Sequence, residues 1–94
     1  MMSRKISTVD ITIPYKRAGN VITQHHVSFD FFEEADFYRL VPCLSKEELL
    51  IANLPEELLF EMQAGKPISR RGIKDGNFHV IKDAVNLLQE KHFL

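Results

Sequence analysis

Four cations lie close together in one segment of this 94-residue chain, and they could bind phosphate. This segment, residues 66–74, is called the basic loop and contains Lys66, Arg70, Arg71 and Lys74. Phosphate binding needs exposed cations, and three glycines at or beside the loop would let backbone amides approach an anion. We favour an ordinary solvated loop, because no nucleotide-binding, zinc-finger or RNA-binding aromatic motif accompanies the cations. Nucleic-acid or phosphate-ligand binding is therefore the alternative prediction.

Four histidines could ligate a metal or transfer protons if two of them met near a carboxylate or thiol. His25 and His26 are consecutive on a predicted strand, so their side chains point to opposite faces and do not share one metal. His79 precedes Asp83 by four residues on a predicted helix, which is equally the spacing of a surface contact. His92 falls in the last turn of that helix, where a cation suits the helix dipole. We predict no catalytic residue, metal or cofactor, and a small metal-dependent or acid/base enzyme is the least favoured alternative.

Cys43 is the only cysteine, so an intrachain disulfide is excluded. It would act as a nucleophile only beside a base that activates it, and we expect a small buried residue instead. Neighbouring carboxylates such as Glu33 and Glu34 are adjacent in sequence and diverge in direction, which does not suggest a glycosidase. The acidic residues mostly reflect helix starts and solvated faces.

Five aromatic residues within ten positions are the most unusual feature of the chain. They lie at both odd and even positions, which point to opposite faces of a strand, so one face of a sheet cannot bury all of them. Either helices cover the second face, or some of the aromatic side chains stay exposed and mark an interface. Core packing is the simpler explanation, but this segment is the first place to look for a partner. The predicted interaction surface comprises Phe29, Phe31, Phe32, Phe37 and Tyr38.

Composition indicates a soluble globular protein, with 45% hydrophobic and 27% charged residues. A net charge of -1 gives no overall attraction to nucleic acid or anionic membranes, and little repulsion between copies of the chain. No apolar run is long enough to cross a membrane. Asp10 and Pro14 interrupt what would be the apolar part of a signal peptide. We therefore expect a cytoplasmic protein.

Strict alternation of apolar and polar residues predicts an antiparallel β-hairpin over residues 8–31. Its turn falls at residues 16–20, where glycine and asparagine tolerate positive φ. Pro14 cannot donate a ladder hydrogen bond. The first strand is therefore predicted to be an edge strand, or to have Pro14 at its end. The buried face of that strand is predicted to comprise Val9, Ile11, Ile13 and Tyr15.

The middle of the chain combines patterns typical of strands with patterns typical of helices. Residues 37–41 fit a strand or a short helix, and their β-branched and aromatic content favours a third strand. Ser45 and Glu48 form a capping box, which predicts that a helix begins there. A second helix is predicted from Pro55 to a stop at Gly65, with a buried stripe of Leu58, Leu59 and Met62.

Residues 66–77 are predicted to be an exposed connection, and helical spacing of apolar residues from Phe78 to the end predicts a C-terminal helix capped by Asn77 or Asp75. The fold class is therefore α+β, in one domain over residues 1–94. An antiparallel hairpin or three-stranded meander packs against an αα-hairpin and a C-terminal helix. For function, we expect a non-enzymatic interaction or regulatory module that binds itself or another protein through residues 29–38.

Overall fold

The computed structural model describes residues 3–16, 19, 21–69 and 75–94. Within them the elements are β1 Arg4–Lys16, β2 Ile22–Glu33, β3 Tyr38–Pro42, α1 Lys46–Ala52, β4 Leu58–Gln63, β5 Lys66–Ser69 and α2 Asp75–Glu90. The strands form an antiparallel sheet in which each strand pairs with its neighbours in sequence, in the order β1-β2-β3-β4-β5. Helix α1 lies between β3 and β4, and α2 follows β5.

The predicted hairpin is confirmed and extends beyond its expected ends. β1 and β2 pair from Lys16 opposite Ile22 to Arg4 opposite Glu33, with one irregularity near the start of β1. Gly19, in the predicted turn, has a φ of 77°. β3 pairs with the end of β2, so the predicted third strand is confirmed, but the sheet continues into β4 and β5 and is not three-stranded. β1 lies at an edge of the sheet. The buried side of β1 is the predicted one, comprising Val9, Ile11, Ile13 and Tyr15.

The predicted αα-hairpin is wrong in its second half, although its first helix is confirmed. Ser45 and Glu48 form the expected capping box at the start of α1. The helix ends after Ala52 because Asn53 adopts a left-handed φ of 56°. The Asn53 and Leu54 backbone N–H groups then donate to the carbonyls of Leu50 and Leu49, which is the Schellman arrangement that stops a helix.

The segment predicted as the second helix is strand β4. Leu58 and Phe60 are both fully buried, which is the two-residue period of a strand. Leu58 and Met62 fit a helical stripe equally well, because a spacing of four residues satisfies both periods. Pairing with β3 on one side and β5 on the other supplies the backbone hydrogen bonds that a helix would otherwise make internally.

Gly65 forms a hairpin turn rather than a helix stop. Ala64 and Gly65 are the two residues between β4 and β5, and their φ angles are 51° and 77°. Positive φ at both central residues is characteristic of a type I′ turn. β5 therefore occupies the start of the segment predicted as an exposed connection, and residues 70–74 of that segment lie outside the described residues.

Ala64 is the residue in this turn whose replacement is expected to stabilise the protein. A left-handed conformation costs a residue with a Cβ about 1–2 kcal/mol, and asparagine tolerates it better than alanine. We expect Ala64→Asn to raise the free energy of unfolding by about 0.5–1 kcal/mol, measured by urea denaturation. The same change at exposed Ala35, which lacks a positive φ, should give no gain. A lower stability for Ala64→Asn would contradict the turn assignment.

Both helices pack on one face of the sheet, called the core face. α1 and α2 contact β1, and α2 also contacts β5. The inward residues of α2 belong to the same buried cluster as Ile11 and Phe29 of the sheet. Their spacing is that of an amphipathic helix, which confirms the C-terminal helix. These residues are Val80, Ile81, Ala84, Val85 and Leu88.

The ends of α2 differ from the sequence-based expectation. The helix begins at Asp75, so Asn77 lies inside it rather than at its cap. It ends at Glu90, and His92 lies beyond the last turn with a left-handed φ of 64°. The Phe93 N–H donates to the Leu88 carbonyl at 2.8 Å, which closes a second Schellman arrangement. No helix in the described part of the chain is long and apolar enough to cross a membrane.

Candidate functional site

The face of the sheet opposite the helices, called the open face, carries the side chains that alternate with the core residues. Its β1 side is polar. Thr8 donates to Asp30, Ser28 donates to Asp10, and Thr12 lies opposite His26. This half of the face is therefore a network of cross-strand hydrogen bonds.

The β2–β5 side of the open face carries four apolar side chains around Arg39, with Glu61 opposite one of them, Ile68. Phe32, Arg39 and Leu59 lie in one cross-strand row on β2, β3 and β4. Val41 and Ile68 take the diagonal positions beside Leu59, where long side chains are still within reach of one another. Ile68 is 41% exposed, and the other three apolar residues are partly exposed. The apolar patch comprises Phe32, Val41, Leu59 and Ile68.

Arg39 lies at the centre of this patch and is held by several neighbours. Its guanidinium lies over the Phe32 ring, 4.3 Å from the ring centroid, which is a cation–π geometry. It also forms ion pairs with Glu34 at 3.5 Å and Glu57 at 3.6 Å. Because two carboxylates offset the charge of Arg39, the patch does not present an isolated cation to a partner.

The structure divides the predicted aromatic surface. Phe29 and Phe31 are fully buried on the core face, so they are core residues and cannot contact a partner in this fold. Tyr38 also points to the core face, where it stacks on Phe31 and Phe60 with 5.4 Å between ring centroids in each pair. The helices and the five-stranded sheet bury these rings, which is the core explanation offered by the sequence.

Phe32 and Phe37 are the other two residues of the predicted aromatic surface. Phe32 lies on the open face, whereas Phe37 is in the connection between β2 and β3. Phe37 lines a cleft of about 710 Å³ together with the acidic residues Glu33, Asp36 and Glu61. Phe32 is therefore the residue of the five that belongs to the apolar patch.

Cys43 lies beside Asp30 at the polar edge of the open face. Its side chain is exposed, so the expectation that it is buried is wrong. Partial burial, and then the charge of Asp30 and the hydrogen bond to it, raise the pKa of the Cys43 thiol. A raised pKa disfavours the nucleophilic thiolate, so this environment does not activate the cysteine.

Asp30 also forms an ion pair with Lys5 at 3.2 Å and accepts a hydrogen bond from the Thr8 hydroxyl at 3.0 Å. Burial acts to raise the pKa of Asp30, but the hydrogen bonds from these two side chains and the charge of Lys5 together lower it. The folded state therefore favours the ionised carboxylate. Ionised Asp30 therefore stabilises the folded state at any pH above 3.8, the ordinary pKa of an aspartate. This stabilisation is lost as the pH falls through the lower pKa of Asp30 in the folded protein.

This linkage predicts how Asp30→Asn changes the pH dependence of unfolding. At neutral pH the wild type should be more stable than Asp30→Asn by less than about 1 kcal/mol, because the pair is solvent-exposed. The difference should shrink below about pH 4. Urea denaturation across this range measures it, with Asp83→Asn on α2 as the control for losing an exposed carboxylate. A difference that grows on acidification would contradict the sign.

His25 and His26 both line one open cavity with Glu48, but His79 lines another, so the histidines of the strand and of the helix do not meet. The sheet register places His25 opposite Ile13 and His26 opposite Thr12, which confirms that they point to opposite faces. His25 stacks on Tyr15 with 4.0 Å between ring centroids. His79 lies on α2, in a different cavity from His25. Across the described ranges, no group of three metal-ligating side chains forms a metal site.

The basic loop is only partly described. Lys66 begins β5 and is exposed, whereas Arg70, Arg71 and Lys74 lie outside the described residues. Nucleic-acid or phosphate binding through this loop therefore remains a prediction.

Sequence reasoning missed most of the apolar patch. The sequence pattern places Leu59 in the buried stripe of a helix and does not place Val41 or Ile68 on a surface. The available signal is that Val41 follows the buried Leu40 and that Leu59 lies between the buried Leu58 and Phe60, which places both on the opposite face of a strand. Ile68 joins them only through its pairing opposite Glu61, so its position depends on the paired strands. A scan against protein-family models and searches of curated proteins and solved structures gave no significant match.

Proposed function

We propose that this protein is a non-enzymatic interaction module that self-associates by packing the open face of its sheet against the open face of a second copy. The observation that carries the proposal is the apolar patch around Arg39. It joins side chains from four neighbouring strands on the side of the sheet away from both helices. Neighbouring apolar side chains that are partly exposed on one face of a sheet are typical of interaction sites.

The charge distribution on this face favours a second copy as the partner. Lys5 pairs with Asp30, and Arg39 pairs with Glu34 and Glu57. Among these groups two cations face three carboxylates, so their net charge is only -1, as it is for the whole chain, and repulsion between identical faces is small. Two such faces can pack in the way that β-sandwich sheets do, at a spacing of about 10 Å.

Sedimentation velocity and native mass spectrometry of the wild type and the Phe32→Asp and Leu59→Asp variants test this proposal. The wild type should be a dimer, and each variant should weaken association by about 30-fold or more, as loss of an apolar anchor does at an interface. Both variants are designed to fold. Phe32 and Leu59 lie on the open face, are partly exposed and are outside the buried core, so neither new carboxylate is fully buried.

Gln24→Asp is the matched control, because Gln24 is an exposed residue on the same face, opposite Pro14 and away from the patch. It should leave association unchanged. A wild type that stays monomeric and captures no second copy would overturn the proposal. So would a dimer that folded Phe32→Asp and Leu59→Asp leave intact. A dimer broken equally by Gln24→Asp would mean that the polar half forms the interface.

A further inference from the structure

An aliphatic groove of about 480 Å³ lies at the end of the molecule where α1, α2 and the turn end of the hairpin meet. Its floor consists of the core residues Ile13, Leu54 and Val80, whose exposed fractions are 2%, 8% and 1%. Its walls include Ile22 and Ile51, which are 61% and 46% exposed. The groove thus has a closed apolar floor and exposed aliphatic walls, and its volume lies in the range of small-ligand sites.

Among the described residues that line this groove, the charged side chain is a lysine. Lys16 from β1 and His79 from α2 line it, together with the amide side chains of Asn53 and Asn77. No acidic residue is among the described residues that line it. A lysine ammonium and amide N–H groups all donate hydrogen bonds, so the rim is suited to a carboxylate.

We infer that the aliphatic groove binds a medium-chain aliphatic carboxylate, with the hydrocarbon chain between Ile22 and Ile51 and the carboxylate at Lys16. The chain would cover the two exposed isoleucines, and removing apolar surface from water provides the driving force. The charge of Lys16 fixes the orientation of the ligand. This site lies at the far end of the hairpin from Phe32, so it is independent of the proposed self-association.

Isoleucine methyl NMR with decanoate as the probe tests this inference. Titration below the concentration at which decanoate forms micelles should shift the methyl signals of Ile22 and Ile51 and leave that of Ile68 on the open face unchanged. Decyltrimethylammonium has the same chain with a cationic head, and it should bind more weakly. Lys16→Gln should weaken decanoate binding about threefold, as expected for one exposed charge pair.

Ile51→Asp and Leu50→Asp form a matched pair on α1. Ile51 lines the groove, whereas Leu50 is 83% exposed and does not line it. Ile51→Asp should weaken decanoate binding at least about tenfold, and Leu50→Asp should leave it nearly unchanged. Absence of shifts at Ile22 and Ile51 would overturn the inference, as would equal binding of the cationic probe. If Ile51→Asp instead converts a wild-type dimer to a monomer, a second copy occupies the groove and the inference is wrong.

Discussion

Phe60→Ala is expected to lower the free energy of unfolding by about 3–5 kcal/mol, which is a large part of the roughly 5–14 kcal/mol typical of a domain of this length. Phe60 is fully buried and stacks on both Tyr38 and Phe31, with centroid distances of 5.4 and 6.2 Å. Truncation removes the transfer free energy of the ring, leaves a cavity and breaks two aromatic contacts. The midpoint of thermal unfolding should fall by more than about 12 °C.

Phe93→Ala is the matched control for this prediction. Phe93 is 46% exposed after the end of α2, and the hydrogen bond it makes to Leu88 uses its backbone, which the substitution retains. Its loss should cost less than about 1 kcal/mol, as surface substitutions usually do. Equal losses for the two phenylalanine variants, measured by calorimetry and urea denaturation, would show that Phe60 is not in the core.

The second prediction concerns Leu58→Asp and Leu59→Asp, which should differ sharply although the residues are adjacent. Leu58 is fully buried on the core face, so an aspartate there would bury an unpaired carboxylate and should prevent folding. Leu59 lies on the open face beside Arg39. Its replacement should cost only about 1 kcal/mol, because part of one leucine side chain loses its burial.

Circular dichroism and two-dimensional amide NMR of the two variants measure this difference. The comparison shows whether this segment is a strand or a helix. In the helix that the sequence pattern predicts, both leucines would be buried, whereas in strand β4 only Leu58 is fully buried. Two unfolded variants would support the helix. One folded and one unfolded variant would support β4, and would also validate Leu59→Asp as a probe of self-association.

The local parts of the fold could be predicted from the sequence. The hairpin was visible because alternation from Val9 to Tyr15 and beyond is compatible with only one regular structure. The start of α1 was visible because the capping box of Ser45 and Glu48 is complete within four residues. In both cases the deciding interactions lie close together in the chain.

The second helix was a wrong prediction for a specific physical reason. Leu58, Leu59 and Met62 fit a helical stripe, and Pro55 with the acidic residues after it resembles a helix start. The residue that distinguishes the periods is Phe60, whose burial depends on Tyr38 and Phe31 from β3 and β2. Pairing with β3 is a long-range interaction, and local propensity does not contain it.

The candidate surface divides in the same way. The aromatic density of residues 29–38 indicated that not all of these rings could share one sheet face, and the structure places Phe32 on the face opposite Phe31. The sequence did not show that Arg39, Val41, Leu59 and Ile68 join Phe32, because these residues come from three further strands. The aliphatic groove likewise combines Lys16, Ile51 and His79, which lie far apart in the chain.

By itself, the sequence determined the α+β class, the hairpin, the start of α1 and the C-terminal helix, since periodicity and capping act over a few residues. Tertiary structure alone decided that residues 58–69 form a second hairpin, and that both helices cover one face of the sheet and leave the other open. The physical reason is that burial is a property of the assembled sheet. A leucine or phenylalanine is apolar wherever it stands, but the strands paired beside it decide which face it takes and whether it becomes core or surface.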